Sequence, residues 1–244
     1  MISNLFNTFF YDPIYNLLVG LTALLPGESI GLAVIVLTII VRLILLPFSL
    51  SAARTQRAMR ALEPKIAELK EKHKDNKEEH ALKLLELYRS EKINPFASFL
   101  TILIQLPILF ALYWVFFHPF TELDTEILYS FTPVPLSSND MLFGLIALSG
   151  KSLLLAVLAG ATQYLQAMLA LSHSPKPTGE GMQADFQRVM ALQLRYVFPL
   201  LIGTVAYTTS AAIALYFVTT NLIGALQEYY VHKKFAESTV PKAG

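Results

Sequence analysis

At 244 residues, with 54% hydrophobic and only 15% charged side chains and a mean hydropathy of +0.50, the chain carries too little charge for an ordinary soluble domain, where about a quarter of residues are charged. Composition therefore makes it a membrane protein. The lack of cysteine excludes disulfides, thiolate chemistry and a lipidated cysteine, while the net charge of +1 averages over surfaces of opposite character.

The chain opens with "MISNLFNTFFYDPIYNLLVG", which lacks the basic region of a secretory signal. Asp12-Pro13 would interrupt a spanning helix, so residues 1–29 are expected to form an aromatic-rich helix in the outer interface, with a tucked soluble fragment as the alternative. Residues 30–51 form the first apolar stretch of spanning length, which takes about 20 residues.

Residues 52–93 change character. Positions 52–92 hold eleven basic and eight acidic residues, yet Leu62, Ile66 and Leu69, then Leu82, Leu85, Leu87 and Tyr88, keep helical spacing around the turn signal "KDNKEE". A cytoplasmic helical hairpin is expected, serving either as a solvated connector or as a surface that meets arriving partners. His73, Glu79 and His80 lack the spacing of a metal-binding helix, so no metal is expected there.

The second span covers 94–117. An outward segment at 118–151 follows, rich in Pro, Ser and Thr; its apolar piece 141–148 is too short to cross, and is expected to lie on the outer face or to begin the third span at 152–172. "SHSPKPTGEG" marks a flexible cytoplasmic loop within 173–192. The last apolar stretch, 193–230, is long enough for a fourth and a fifth short span, with the break expected in "YTTSA" at 207–211. Halves of about 15 to 17 residues imply locally thin membrane. Residues 231–244 form the tail.

Basic residues orient this arrangement. Residues 1–41 have none, and neither does 118–150, which carries Glu122, Asp124, Glu126 and Asp140. Both face outward. The hairpin, Lys176, Arg188, Arg195, Lys233 and Lys234 face the cytoplasm, giving an outside amino terminus and an inside carboxyl terminus. No transit peptide is present, which points to a bacterial plasma membrane.

Arg42 stands within the apolar run "IVLTIIVRLILLPFSL", about 13 Å from Ser51 and about 16 Å from Gly31 along a helix. Placing arginine at a helix centre costs from about 2.5 to more than 10 kcal/mol. No acid lies inside the other apolar stretches, about 96–117, 153–172 and 196–226, to pair with it. The spans instead carry neutral polar groups: Thr38 one turn before Arg42; Thr101 and Gln105; Thr162, Gln163 and Gln166; Thr219, Thr220 and Asn221 beyond Tyr216 and Phe217. If these faces converge, they enclose a hydrated cavity with one fixed positive charge. Taken singly, such groups also serve as ordinary interhelical glue. No phosphate-cradling loop, nucleophile elbow or catalytic carboxylate pair is seen, so neither an enzyme nor a cofactor is expected.

"LTIIVRLILLPFSL", "QRAMRALEPKIAELKEKH", "NPFASFLTILIQLPILFALYWVF", "LLAVLAGATQYLQAMLA" and "ALYFVTTNLIGALQEYYV" occur in order over roughly residues 30 to 232. Together they resemble the YidC/Oxa/Alb family of membrane protein insertases. The resemblance implies an all-α core of five spans around a hydrophilic groove open to cytoplasm and lipid. Arg42 and Thr38 would lie in that groove, and Tyr216 and Phe217 would take the family's aromatic pair, with substrate sliding along this face and the third span. It further implies nascent membrane proteins as substrates, with a ribosome and a Sec-type translocon as further partners. Phe217 lacks the second aromatic hydroxyl common in the family, and "TTSAAIALYF" replaces a Pro- and Gly-containing motif. The extra amino-terminal span and the long basic tail of some members are also absent from these 244 residues, so ribosome contact would fall to the hairpin or the 172–190 loop. Two other classes stay open: an anion or solute channel or carrier using Arg42, and a structural assembly factor of a translocon.

Overall fold

A computed structural model describes residues 2–73, 76–94, 97–117, 123–173 and 188–238. Most of the cytoplasmic loop expected within 173–192, Glu122 and the end of the tail lie outside these residues. The described chain is mostly helical, with α1 Ile2–Phe6, α2 Asp12–Leu24, α3 Ile30–Ala61, α4 Glu63–Lys72, α5 Lys77–Ser90, α6 Ala97–Phe117, α7 Leu153–His173, α8 Phe198–Thr208 and α9 Ala211–Ser238. Among the described residues, three helices are long and apolar enough to cross a membrane, Ile30–Thr55, Leu153–Ser172 and Arg188–Thr208, with a shorter apolar helix at Leu103–Phe116.

Asp12-Pro13 does not interrupt the amino-terminal helix. A π-helical turn, Asn7–Tyr11, leads straight into α2 and takes up the irregularity that proline, lacking an N–H, imposes on the ladder. The same solution recurs at Pro199, where the π turn Gln193–Val197 precedes α8. The break between α8 and α9 falls at Thr209-Ser210. There Thr208 and Thr209 turn their hydroxyls back to the carbonyls of Thr204 and Val205, and the Ser210 hydroxyl donates to the Phe116 carbonyl. The three hydroxyls thus satisfy backbone acceptors where the helix ends.

The core lies where α3, α6, α7 and α9 meet. Ala33, Val34 and Leu37 of α3 are fully buried, as are Ala111 of α6, Ala159 of α7 and Ala211, Ala212 and Ala214 of α9. Small residues let helix backbones approach closely, which is how helices associate when the surrounding lipid is as apolar as the side chains themselves. Large apolar groups such as Leu43, Ile44, Phe110, Leu153 and Leu200 point outward, as a lipid solvent permits.

On one side α3 does not stop at Ser51 but runs on to Ala61, and α4 follows almost directly. Helices α4 and α5 form the hairpin, tied by a 2.6 Å ion pair between Lys65 and Glu91 and started at α5 by Asn76, whose side chain accepts from the Glu79 amide. Leu62 and Tyr88 are buried, whereas Leu82 and Leu85 are exposed; helical spacing alone did not separate the packed face from the free one.

On the opposite side residues 123–151 cap the helix ends. Piece 141–148 does not begin the third span. It folds as a β-hairpin, β1 Met141–Leu142 against β2 Ile146–Ala147, joined by the three residues 143–145, with positive φ at Phe143 and Gly144 and the Leu145 amide donating to the Leu142 carbonyl. The Asn139 carbonyl accepts from the Ile30 amide at the start of α3, and the Leu148 and Gly150 carbonyls accept from Ala212 and Ala211 at the start of α9. Orphan donors of two helix starts are thereby satisfied by one segment. Asn16 of α2 is buried and fully used: its amide donates to Asp12 and Ile127 carbonyls, and its oxygen accepts from the Tyr129 amide and the Thr132 hydroxyl, all within 2.7–2.8 Å.

Glu28, just before α3, accepts from the Leu136 amide and from both the amide and hydroxyl of Ser137. These donors, Ser137 first, hold its carboxyl below the ordinary value. A carboxyl depressed in the folded state stabilises above its unfolded value and loses that contribution as pH falls through the folded one. A nitroxide attached through Ser138→Cys, which labels uniquely in this cysteine-free chain, is therefore expected to gain mobility on acidification from pH 7 to pH 3. With Glu28→Gln the label should already be mobile at pH 7; an unchanged spectrum in both tests would remove Glu28 from the anchoring of this segment.

Candidate functional site

Arg42 sits on α3 one turn after Thr38, which is fully buried and closes its hydroxyl onto the Val34 carbonyl at 2.6 Å. Thr38 thus spends its hydroxyl donor on its own helix. The Arg42 Nε is shut off from the surface and has no hydrogen-bond partner among the described residues. Among the described residues no carboxylate pairs with Arg42; its electrostatic neighbour is Tyr216 of α9. Pro47, five residues on, removes the helical donor to the Leu43 carbonyl.

Tyr216 is 3% exposed. Its hydroxyl accepts from Gln105 Nε2 of α6 at a long 3.4 Å and reaches the Thr220 side chain one turn further along α9. Three helices therefore bring Arg42, Gln105, Tyr216 and Thr220 to one place. Four neutral or positive groups gather there without an anion.

The remaining polar residues separate from this cluster. Asn221 is 2% exposed and donates to the Ala159 carbonyl at 3.2 Å and to Thr162 at 3.3 Å, so it binds α9 to α7. Gln166 lies in the same seam, its amide filling the space where a Cβ on Gly224 would approach to 2.3 Å. Thr219 turns back to the Leu215 carbonyl. Gln163 is half-buried on α7 and joins the Arg42 cluster by no hydrogen bond among the described residues, and the side chain of Thr101 lies outside those described. Which of two α9 faces a residue occupies depends on the neighbour it meets, and sequence spacing does not name neighbours.

Phe217 lies beside Tyr216, ring centroids 5.5 Å apart with the planes tilted by 54°, and lines an apolar cavity of about 390 Å³. Leu109, Phe110 and Trp114 of α6 form one wall; Val205 of α8 and Ile213 of α9 belong to the other. Tyr216 lines this cavity too and so stands at the boundary between the polar cluster and the apolar space. The α6 wall was not foreseen, although the aromatic density of "FALYWVFF" at 110–117 was its signal.

The profile of the 60Kd inner membrane protein family matches residues 21–238. The chain belongs to that family. The matched region encloses Arg42, Gln105 and Tyr216 together with the whole apolar cavity. The protein named "Membrane protein insertase YidC" from Fusobacterium nucleatum is 31% identical over 229 residues, which cover 91% of this chain and 98% of the relative. Its namesake from Clostridium perfringens is 30% identical over 233 residues, 94% of this chain and 89% of that one. A third of the same name, from Ectopseudomonas mendocina, is 32% identical over 233 residues; there the match takes 96% of this chain but spans 36% of the relative's length.

Proposed function

We propose that the chain is a membrane protein insertase and chaperone of a bacterial inner membrane, moving nascent membrane proteins from cytoplasm to bilayer through a hydrated, positively charged groove without ATP. The observation that carries this reading is the unpaired Arg42 nitrogen beside Gln105 and Tyr216, at the edge of an apolar cavity. Five crossings at 30–51, 94–117, 152–172 and twice within 193–230 leave the amino terminus outside and the tail inside. The hairpin at 52–93 and the loop at 173–192 then meet arriving chains, and with them a ribosome or a Sec-type translocon.

Arg42 attracts acidic groups of the incoming segment, Gln105, Tyr216 and Thr220 supply neutral hydrogen bonds, and water entering from the cytoplasm keeps the guanidinium ionised. Apolar side chains of the substrate pass Tyr216 and Phe217 into the cavity and from there into lipid. The work is noncovalent. Each central Leu, Ile, Phe or Val contributes about −0.3 to −0.6 kcal/mol on entering the bilayer, against about +2.5 to +3.5 for a charged residue. An apolar span of ~20 residues thus offsets two or three charges unaided, which restricts the fuel-free route to weakly charged substrates.

Photocrosslinkers at positions 105, 163 and 217 test the route against a stalled nascent chain, with positions 43 and 153 as lipid-facing controls. Adducts are expected at 105 and 217 above the controls; labelling confined to 43 and 153 would overturn the groove.

A further inference from the structure

A second cavity, of about 650 Å³, lies outside this site between α7 and α8, lined among others by Val157, Gly160, Tyr164, Tyr196, Leu200 and Gly203. Its floor is backbone: a Cβ on Gly160 would stand 3.1 Å from the Pro199 carbonyl oxygen and one on Gly203 3.5 Å from that of Ala156. Its rims are exposed hydrocarbon, Val157 at 60% and Leu200 at 73%. At one end Arg195 lays its guanidinium 5.5 Å from the Tyr196 ring centre and donates to the Tyr164 hydroxyl. Its Nε is closed off from the surface without a partner, and no carboxylate neutralises it among the described residues.

We propose that this furrow binds one anionic phospholipid, its phosphate on Arg195 and one acyl chain lying along Gly160 and Gly203. An arginine fork matches phosphate geometry, and a guanidinium that no carboxylate neutralises, at the end of an apolar furrow, meets both halves of such a molecule. The furrow runs from Tyr196 to Tyr207, about 16 Å of helix, which matches the ~15 Å that one acyl chain contributes to a ~30 Å hydrocarbon core. A peptide helix ~10 Å across is far wider than one acyl chain, and the furrow is floored by backbone at Gly160 and Gly203. A lipid chain suits it better than an incoming span.

The test uses the full chain in mixed-lipid nanodiscs, with Trp114→Phe to remove the only native indole and Leu200→Trp to place a reporter on the exposed rim. Brominated-chain phosphatidylglycerol is expected to quench that reporter at about tenfold lower mole fraction than brominated-chain phosphatidylcholine, and Arg195→Ala to abolish the difference. Equal quenching by the two lipids, or a preference that survives Arg195→Ala, overturns the proposal. Arg195→Gln repeats the comparison if the alanine variant does not fold. A crosslinker at position 200 that captures nascent chain in preference to lipid also overturns it, assigning the furrow to substrate. The inference rests on the membrane placement of α7 and α8 and not on insertase activity, so Arg42→Ala should leave the quenching preference intact while losing insertion of substrates with acidic segments.

Discussion

Replacing Arg42 by alanine is expected to lower insertion of substrates with acidic translocated segments by about tenfold or more, while substrates with neutral segments change by less than about threefold. The asymmetry follows from charge. A carboxylate ~4 Å from the guanidinium at an effective dielectric near 20 gains up to ~4 kcal/mol, and each 1.4 kcal/mol is a factor of ten. Hydration of both partners within the groove offsets part of that gain, hence the lower figure. Arg42→Lys retains the charge but not the planar fork, so it should fall between wild type and alanine. The measurement is protease protection of translocated segments in liposomes containing the purified variants. Equal loss for acidic and neutral substrates would mean that Arg42 supports the fold; no loss for either would favour a scaffold, and anion flux through the same liposomes would favour a channel.

The second large effect is expected at Asn16. Asn16→Leu keeps the bulk but leaves the Tyr129 amide, the Thr132 hydroxyl and the Ile127 carbonyl without their partner. Each unsatisfied buried group costs ~1–3 kcal/mol, so a loss of about 3 kcal/mol or more is expected, measured as a fall of several degrees in the thermal midpoint in detergent. Asn16→Asp keeps the acceptor for Tyr129 and Thr132 while losing the amide donors, and should recover part of the loss. If Asn16→Leu melted like wild type, residues 123–151 would have to be held by their carbonyl contacts to α3 and α9 alone.

Much of this architecture is written locally. Apolar runs of spanning length mark α3 and α7, the charge-rich helical spacing marks α4 and α5, and the helix break lies within the hydroxyl cluster because those side chains cap their own backbone. Arg42 is conspicuous because any charge in such a run is costly. What is not legible is contact at long range. Asn16 meets residues more than 110 positions away, and nothing in "DPIYNLL" signals that. The β-hairpin at 141–147 escapes for the same reason, since its apolar residues are equally compatible with an interfacial segment until their packing partner is known. The polar residues of α7 and α9 illustrate the limit most clearly: Tyr216, Thr220 and Asn221 lie within six positions, yet the first two turn toward Arg42 and the third toward α7.

The π turn before Pro199 reaches beyond local geometry. Such a turn holds one residue more than an α-helical turn, and one residue corresponds to about 100° of rotation around the axis. Gln193–Val197 therefore acts as a phase shifter between the start of this helix and α8, and Arg195 and Tyr196 ride on it. Deleting a single residue there would leave hydropathy and length almost untouched, yet would swing everything upstream onto a different azimuth and dissociate the guanidinium from Tyr164.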